Sequence, residues 1–236
     1  MKMRTGRFAH TGRSAHSVLI LALLLSLSPT ALFAVEIPSA KADKQYTFTR
    51  DSFTDRIPAW TKLLSEFKGK PGINYLEIGA FEGRSALWTL DNILTHPTSK
   101  LTIIDAFREN NYKTLVSNIN RSGEANKFEI LAGLSTHKLR EIPFDSIDFA
   151  YVDGSGKGIV MLSDLVSTWS LVKVGGLIII SRYPLTPFLR KALNLQPYDP
   201  GPLETIDAFL KLYNPYISVV AYQQNHVAVR KTRSAE

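Results

Sequence analysis

From residue 73 onward, short apolar runs alternate with stretches of helical periodicity. The runs predict buried strands over 73–79, 100–107, 127–133, 146–154 and 175–181. Apolar residues at three- and four-residue spacing predict the helices that separate them, over 85–94, 110–120, 136–140 and 159–171. Buried strands that alternate with helices are typical of a parallel sheet covered on both faces. Right-handed crossovers then favour a doubly wound topology.

The end of the chain departs from this alternation. A helix is predicted over 203–212, followed by two strands over 216–222 and 226–231. Only residues 223–225 join the two strands, which permits an antiparallel hairpin but no parallel crossover. The predicted fold class is therefore α/β: a Rossmann-like, doubly wound, mostly parallel seven-stranded sheet with a terminal antiparallel hairpin.

Two further segments flank the alternating core. Before it, residues 35–50 have the composition of a linker, and apolar residues from Phe53 to Phe67 recur at helical spacing. After the fifth strand, residues 183–202 contain five prolines and several aromatic residues. This segment is either a lid that selects substrate or an ordered surface loop without substrate contact.

The N-terminus has the parts of a secretory signal peptide. Four basic residues and no acid precede the apolar run 18–27, and Pro29 and small residues follow up to Ala34. A cut after Ala34 is expected; the alternatives are an uncleaved anchor over 17–35 and a buried core helix. Whether the leader is cleaved or stays as an anchor, the domain is expected outside the cytosol, either in a periplasm or secreted. The expected division is 1–34 signal peptide or anchor, 35–72 linker and helix, and 73–236 catalytic-type domain.

Composition narrows the classes of function. The 236 residues contain no cysteine, which excludes disulfides, thiolate metal sites and a thiol nucleophile. The net charge is +7, but four of the 28 basic residues lie in the predicted leader. The remaining chain holds 24 basic and 21 acidic residues. This small, scattered excess does not indicate a nucleic-acid partner.

The turn after the first predicted strand carries the first candidate chemistry. Gly79 and Gly83 are four residues apart, so the G-x-G-x-x-G pattern of dinucleotide-binding proteins is absent. This spacing and the terminal hairpin disfavour a nicotinamide-dependent dehydrogenase. Asp105 ends the second strand, where an acid either accepts hydrogen bonds from ribose hydroxyls or caps the next helix.

Taken together, these segments resemble the class I S-adenosylmethionine-dependent methyltransferases. The similarity covers about 46–231, and it is closest to the small-domain family with Y-x-E-I-G-x-x-x-G-x-S and D-G-S-H motifs, of the methyltransferase domain 24 type. The matching segments are 75–93, 101–107, 130–135, 147–155 and 170–181, and the two motifs correspond to 75–85 and Asp153-Gly154-Ser155. The resemblance implies S-adenosylmethionine as cofactor and a small-molecule acceptor.

The resemblance also implies a role for individual residues. Glu77 would lie beneath the turn, Asp105 would bind ribose, and Asp153 would face the transferred methyl group. The other implied cofactor contacts are Gly79, Ala80, Phe81 and Ser85 at the methionine part, Ala106 and Phe107 against adenine, and Gly133, Leu134 and Ser135 at the edge of the adenine pocket.

Two departures from the family pattern concern catalysis. Gly156 replaces the histidine of D-G-S-H, and Ser181-Arg182-Tyr183 replaces an acidic D-D-Y sequence that helps to hold Mg²⁺ in metal-dependent relatives. We therefore expect no catalytic metal, since a hard cation needs several oxygen ligands. The candidate bases are Asp153, Tyr183 and Lys157, although the position of Lys157 favours a solvated lysine at a helix N-terminus. Arg182 could bind an acidic acceptor or pair with Asp153.

Two functions remain open at this point. The first is a metal-independent methyltransferase acting on a small hydroxylated or sugar-like acceptor. The second is a catalytically degenerate methyltransferase-like domain that serves as an exported binding or scaffold module. The substituted motifs, and an exported location where the cofactor is not normally supplied, support the second function.

Overall fold

A computed structural model describes residues 45–183, 201–223 and 225–235. The predicted signal peptide, the alternative anchor over 17–35 and residues 184–200 of the proline-rich segment lie outside the described residues. Asp43–Glu236 forms one compact unit. Within the described ranges, none of the helices combines the length and the apolar character needed to cross a membrane.

The strands and helices alternate as the sequence predicts. The strands are β1 (Asn74–Ile78), β2 (Lys100–Asp105), β3 (Phe128–Ala132), β4 (Ile147–Val152), β5 (Val172–Ser181), β6 (Ile217–Gln223) and β7 (His226–Lys231). The α-helices are α1 (Ile57–Leu63), α2 (Arg84–Asn92), α3 (Glu109–Ser122), α4 (Ser135–Lys138), α5 (Gly158–Leu171) and α6 (Pro202–Tyr213).

The predicted fold class is confirmed. The strand order is β3-β2-β1-β4-β5-β7-β6, with parallel pairing from β3 to β5 and antiparallel pairing of β7 with both β5 and β6. The chain leaves β1 towards β2 and β3, then returns to add β4 on the other side of β1. Strand order therefore reverses between β1 and β4, which is where ligands bind in open α/β sheets.

Alternate residues of the central strands enter two separate apolar clusters, one on each face of the sheet. Tyr75 packs with residues of α1, α2 and α3, whereas Leu76 and Ile78 pack with residues of α5 and α6. Each face of the sheet is thus covered by helices. The polar ends of the strands remain at one open edge.

Two predicted element boundaries are wrong. The single helix expected over 53–67 is a 3₁₀ turn at Thr54–Arg56 followed by the seven-residue helix α1. The Ser65 hydroxyl donates a hydrogen bond to the Lys62 carbonyl (2.8 Å) and competes with continued helix. Strand β5 begins at Val172 instead of residue 175, and its pairing with β4 shifts register before Phe149.

Candidate functional site

A cavity of about 540 Å³ opens at the carboxyl ends of β1, β2 and β4, where the strand order reverses. This volume falls within the range of roughly 300–1,000 Å³ that is typical of small-molecule sites. Most lining residues come from the carboxyl ends of strands and the turns after β1 to β5, and the others come from the starts of helices and the segment before α1.

The turn after β1 requires glycine at its first position. Gly79 has φ +87°, and a Cβ there would overlap the Asp153 carbonyl, lying 2.7 Å from its carbon. The turns after β1 and β4 therefore approach more closely than any side chain at this position would permit. Phe81 also has a positive φ of 53°, and its amide donates a hydrogen bond to Asp105 Oδ2 (2.9 Å).

Glu77 lies beneath this turn, as the resemblance implied, and is fully buried. Its carboxyl accepts hydrogen bonds from the Tyr75 hydroxyl (2.7 Å) and from the Ser85 hydroxyl. Burial raises the pKa of Glu77 to about 7, and the two hydroxyl donors only partly offset this effect. Ser85 itself lines the cavity, so Glu77 orients one of the predicted contact residues.

Asp105 fixes the geometry between the turns after β1 and β2. Its two carboxylate oxygens accept hydrogen bonds from the amides of Phe81 and Phe107, both at 2.9 Å. Burial raises the pKa of Asp105, although these backbone donors counteract the shift. Each carboxylate oxygen has a second lone pair, so Asp105 can still accept a hydroxyl from a ligand in the cavity.

The predicted adenine edge is only partly assembled on the main cavity. Ala106, Gly133, Leu134 and Ser135 line it, together with Gly79, Ala80 and Phe81. Phe107 instead lines a neighbouring groove and lies against Tyr112, with ring centroids 5.2 Å apart.

A buried acid that the sequence reasoning missed lies close to Gly154 in the cavity wall. Asp164 of α5 is fully buried, and the position of a Cβ on Gly154 would lie 3.3 Å from its Oδ2. Burial raises the pKa of Asp164 to about 6, and neither of its carboxylate oxygens has a hydrogen-bond partner among the described residues. Its signal in the sequence was an acid on the apolar face of the helix.

Asp153 lies in the cavity wall and is paired with Arg182. Arg182 Nε donates to Asp153 Oδ1 (3.1 Å), and Arg182 Nη2 donates to the carbonyls of Asp153 (3.1 Å) and Gly154 (2.9 Å). Of the two roles that the sequence left open for Arg182, pairing with Asp153 is present.

A second arginine approaches Asp153 from the opposite end of the sequence. Arg56 Nη1 lies 4.0 Å from Asp153 Oδ2 and donates to the Tyr151 hydroxyl (2.8 Å). That hydroxyl donates to Asp153 Oδ2 (3.0 Å) and lies 3.1 Å from His226 Nε2. The tyrosine has one hydroxyl proton, and it is donated to Asp153. In the contact between Tyr151 and His226, the donor is therefore His226 Nε2.

The other two candidate bases are placed differently. Lys157 lines the cavity and is exposed, directly before the first residue of α5. Tyr183 does not line the cavity: its hydroxyl donates to Asp207 of α6 (2.9 Å), and it borders a separate groove. The structure thus does not bring Tyr183 to the site at which the sequence analysis placed it.

The segment before α1, expected to be a linker, forms part of the site. Glu82, which is buried, accepts hydrogen bonds from the Thr49 amide (2.7 Å) and the Thr49 hydroxyl (2.8 Å). Arg50 lies over the Phe81 ring at 4.5 Å from its centroid. Phe48 and Arg50 therefore line the cavity. The only sequence signal for this was Phe48, an apolar residue within a polar stretch.

Positive charge predominates around the cavity. Among the described residues, its lining contains five cations (Arg50, Arg56, Arg84, Lys157, Arg182) and three acids (Glu82, Asp105, Asp153). Arg84 is neutralised by Asp51, with Nε 2.8 Å from Oδ1. The described ranges contain no group of three or more acidic, histidine or cysteine side chains placed to hold a metal ion. With Arg182 on Asp153, the residues here do not fit a divalent cation.

Comparison with known proteins agrees with this geometry. Residues 76–181 match a family model described as a methyltransferase domain. No curated protein matches the chain in sequence.

Solved structures resemble the chain in fold at low sequence identity. A candidate O-methyltransferase from Klebsiella pneumoniae has a TM-score of 0.61 at 15% identity, covering 79% of this chain and 84% of its own. Cofactor-bound Rv0187 from MTB has a TM-score of 0.60 at 13% identity, with coverages of 81% and 85%. The SAM complex of the O-methyltransferase TomG from Streptomyces achromogenes has a TM-score of 0.52 at 16% identity, with coverages of 67% and 72%. The chain therefore has the fold of the class I S-adenosylmethionine-dependent methyltransferases, and residues 76–181 resemble a methyltransferase domain.

Proposed function

We propose that this protein is an S-adenosylmethionine-dependent methyltransferase that acts on a small-molecule acceptor without a catalytic metal. The observation that carries the proposal is the cavity at the strand-order reversal, with Gly79, Asp105 and Asp153 on its wall. The SAM complex of TomG, an O-methyltransferase of similar fold, supports it.

The residues present fit this cofactor. The close approach at Gly79 leaves main-chain surface exposed to a ligand, and Asp105 retains acceptor capacity for ribose hydroxyls. Ala106, Leu134 and Ser135 offer a surface for adenine. When bound, the cofactor would supply an electrophilic methyl group on a sulfonium. This chain would hold the reactants in line, and positioning of this kind can lower a barrier by about 7–11 kcal/mol.

Calorimetry with S-adenosylhomocysteine tests cofactor binding directly. The Asp105→Asn variant removes a charged acceptor, and we expect its affinity to be about tenfold to a hundredfold weaker than that of the wild type. Asp207→Asn is the matched control, because Asp207 lies on α6 and outside the cavity. Absence of binding by the wild-type protein, or equal loss in both variants, would contradict the proposal.

A specific observation also supports the alternative of a non-catalytic binding or scaffold module. Asp153 is engaged by Arg182 and by the Tyr151 hydroxyl, so a free carboxylate base is not evident at this position. This alternative permits cofactor binding but no methyl transfer. Turnover with any acceptor would therefore remove it.

We further propose that the protein is exported. The basic residues before the apolar run 18–27, and the small residues up to Ala34, support this proposal. N-terminal sequencing of the protein purified from its native host tests cleavage after Ala34. An intact N-terminus in the membrane fraction would favour the anchor, and an intact N-terminus in the cytosol would refute export.

A further inference from the structure

Two arginines from distant parts of the sequence meet at one carboxylate on the cavity wall. Arg182 follows β5 and adopts a positive φ of 71°, while Arg56 ends the 3₁₀ turn before α1. Their side chains are each 21% exposed, so both guanidinium groups are largely withdrawn from solvent but border the cavity. One carboxylate, Asp153, faces two cations, and the cluster keeps an excess of positive charge.

The two guanidinium groups retain donors that other described residues do not use. Arg182 donates through Nε and Nη2, whereas its Nη1 makes no hydrogen bond within the described ranges. Arg56 donates through Nη1 to Tyr151, and its Nε and Nη2 make none to another described residue. Unused donors on partly buried arginines suit an anion, and above all a planar one that accepts two hydrogen bonds.

The same cluster is poorly suited to removing a proton from a neutral hydroxyl. Asp153 accepts hydrogen bonds on both oxygens, and Lys157 is an exposed cation. His226 lies behind the Tyr151 hydroxyl and is buried. An acceptor that is already an anion at neutral pH needs no base, and a carboxylate meets this condition because its ordinary pKa is about 4.

We infer that the methyl acceptor is a carboxylate, held by Arg56 and Arg182 and methylated on oxygen to give a methyl ester. This inference rests on the proposed function. In the step, a carboxylate oxygen forms a bond to the methyl carbon, the sulfur–carbon bond breaks, and its electron pair stays on sulfur. The carboxylate and the sulfonium lose their charges together, and no proton is transferred.

Binding of minimal probes tests the anion site separately from the cofactor site. S-adenosylhomocysteine is first titrated into the wild type and into Arg56→Gln, Arg182→Gln and Arg233→Gln. Arg233 is the control, because it follows β7, donates to the Pro215 carbonyl and does not line the cavity. Acetate and acetamide are then titrated into each loaded protein. We expect acetate to bind the wild type about tenfold or more tightly than acetamide, and to lose most of this preference in the Arg56 and Arg182 variants only.

Equal binding of acetate and acetamide by the loaded wild type would overturn the inference while leaving the proposed function intact. An acetate preference that survives in both cavity variants would also overturn it. Failure of S-adenosylhomocysteine to bind the wild type would instead refute the proposed function. Arg182→Lys, which keeps the charge but loses the planar fork, should recover part of the preference and shows that the fold is intact.

Methyl transfer identifies the reacting atom. Aliphatic and aromatic monocarboxylic acids are compared with the primary alcohols of the same skeleton, using S-adenosylmethionine labelled in its methyl group. Methyl esters release labelled methanol in alkali, whereas methyl ethers do not. We expect alkali-labile label on acids. Alkali-stable label, or methylation of the alcohols alone, would overturn the inference, and transfer to neither set would support the non-catalytic module.

Discussion

Replacement of Glu77 by glutamine should remove a pH-dependent penalty on folding. The carboxyl is fully buried, and burial raises its pKa from 4.5 to about 7. Between these values the folded state holds a proton that the unfolded state has released, so the free energy of unfolding falls as pH rises. Below about pH 4.5 both states are protonated and the penalty is absent. Above about pH 7 both states are ionised and it is constant.

The expected size follows from the shift itself. At about 1.4 kcal/mol per pKa unit, a rise from 4.5 to about 7 corresponds to about 3 kcal/mol. Urea unfolding of wild type and Glu77→Gln across this pH window measures the effect as the change in their stability difference. Glutamine keeps an acceptor oxygen for one of the two hydroxyls, and the other hydroxyl can rotate to accept a hydrogen bond from the amide NH2, so the variant should still fold. Glu109→Gln, on the exposed surface of α3, is the control.

A stability difference between wild type and Glu77→Gln that does not change across this window would refute the reasoning. The same conclusion would follow if Glu109→Gln reproduced the change. Asp164 does not interact with Glu77 and contributes equally to wild type and variant, so it cancels in the difference. Asp105 and Asp153 repel the Glu77 charge, so the difference includes their coupling to Glu77.

Three further substitutions test the contacts around the site and the opposite end of the sheet. Gly79→Ala should abolish S-adenosylhomocysteine binding in calorimetry and lower the melting temperature more than Gly72→Ala. Gly72 has a similar positive φ but no neighbour within 4 Å of an added Cβ, so equal effects of the two substitutions would contradict a steric cause. Glu82→Ala should lower the free energy of unfolding by about 1–3 kcal/mol and speed hydrogen exchange at the Thr49 amide. Unchanged exchange would show that Glu82 does not hold the segment before α1 in place. Lys231→Met leaves the buried Trp169 and Val172 carbonyls without their ammonium donor. We expect urea unfolding to show a free energy of unfolding about 1–3 kcal/mol lower, and a variant as stable as the wild type would contradict this.

The sheet and the turn after β1 could be predicted because their signals are local. A buried strand is a short apolar run, and the glycine that follows it marks a tight turn wherever the strand lies in the sheet. Parallel strands bring their carboxyl ends to one edge, so Gly79 and Asp105 are expected together, and the resemblance adds Asp153. The structure brings all three to one cavity.

Arg56 could not be predicted, because its position depends on tertiary packing. It reaches Asp153 only because α1 lies across the sheet, where Trp60 packs edge to face on Tyr151 with ring centroids 4.9 Å apart. In the sequence, Arg56 is an ordinary polar residue in an amphipathic stretch.

The backbone after β5 explains why the predicted position of Tyr183 is wrong. Arg182 has a positive φ, and the Tyr183 amide donates to the Asn225 carbonyl (2.9 Å) in the turn of the hairpin. Together these place the tyrosine next to Tyr222 on the sheet edge, with ring centroids 5.9 Å apart, and outside the cavity. A strand-end residue therefore reaches the site only if the backbone after the strand continues in that direction.

The Ser181-Arg182 sequence at the end of β5 determines whether a cation or an anion can bind next to Asp153. Acidic residues at this position would add oxygen ligands next to Asp153 and favour a cation. Arg182 instead donates to Asp153 and to two main-chain carbonyls, which satisfies the oxygens that a cation would need and leaves Nη1 for an anion. The same arginine occupies the candidate base Asp153, which suits a substrate that has no proton to lose. Loss of the family's acidic pair is therefore compatible with catalysis, provided that the acceptor carries the negative charge.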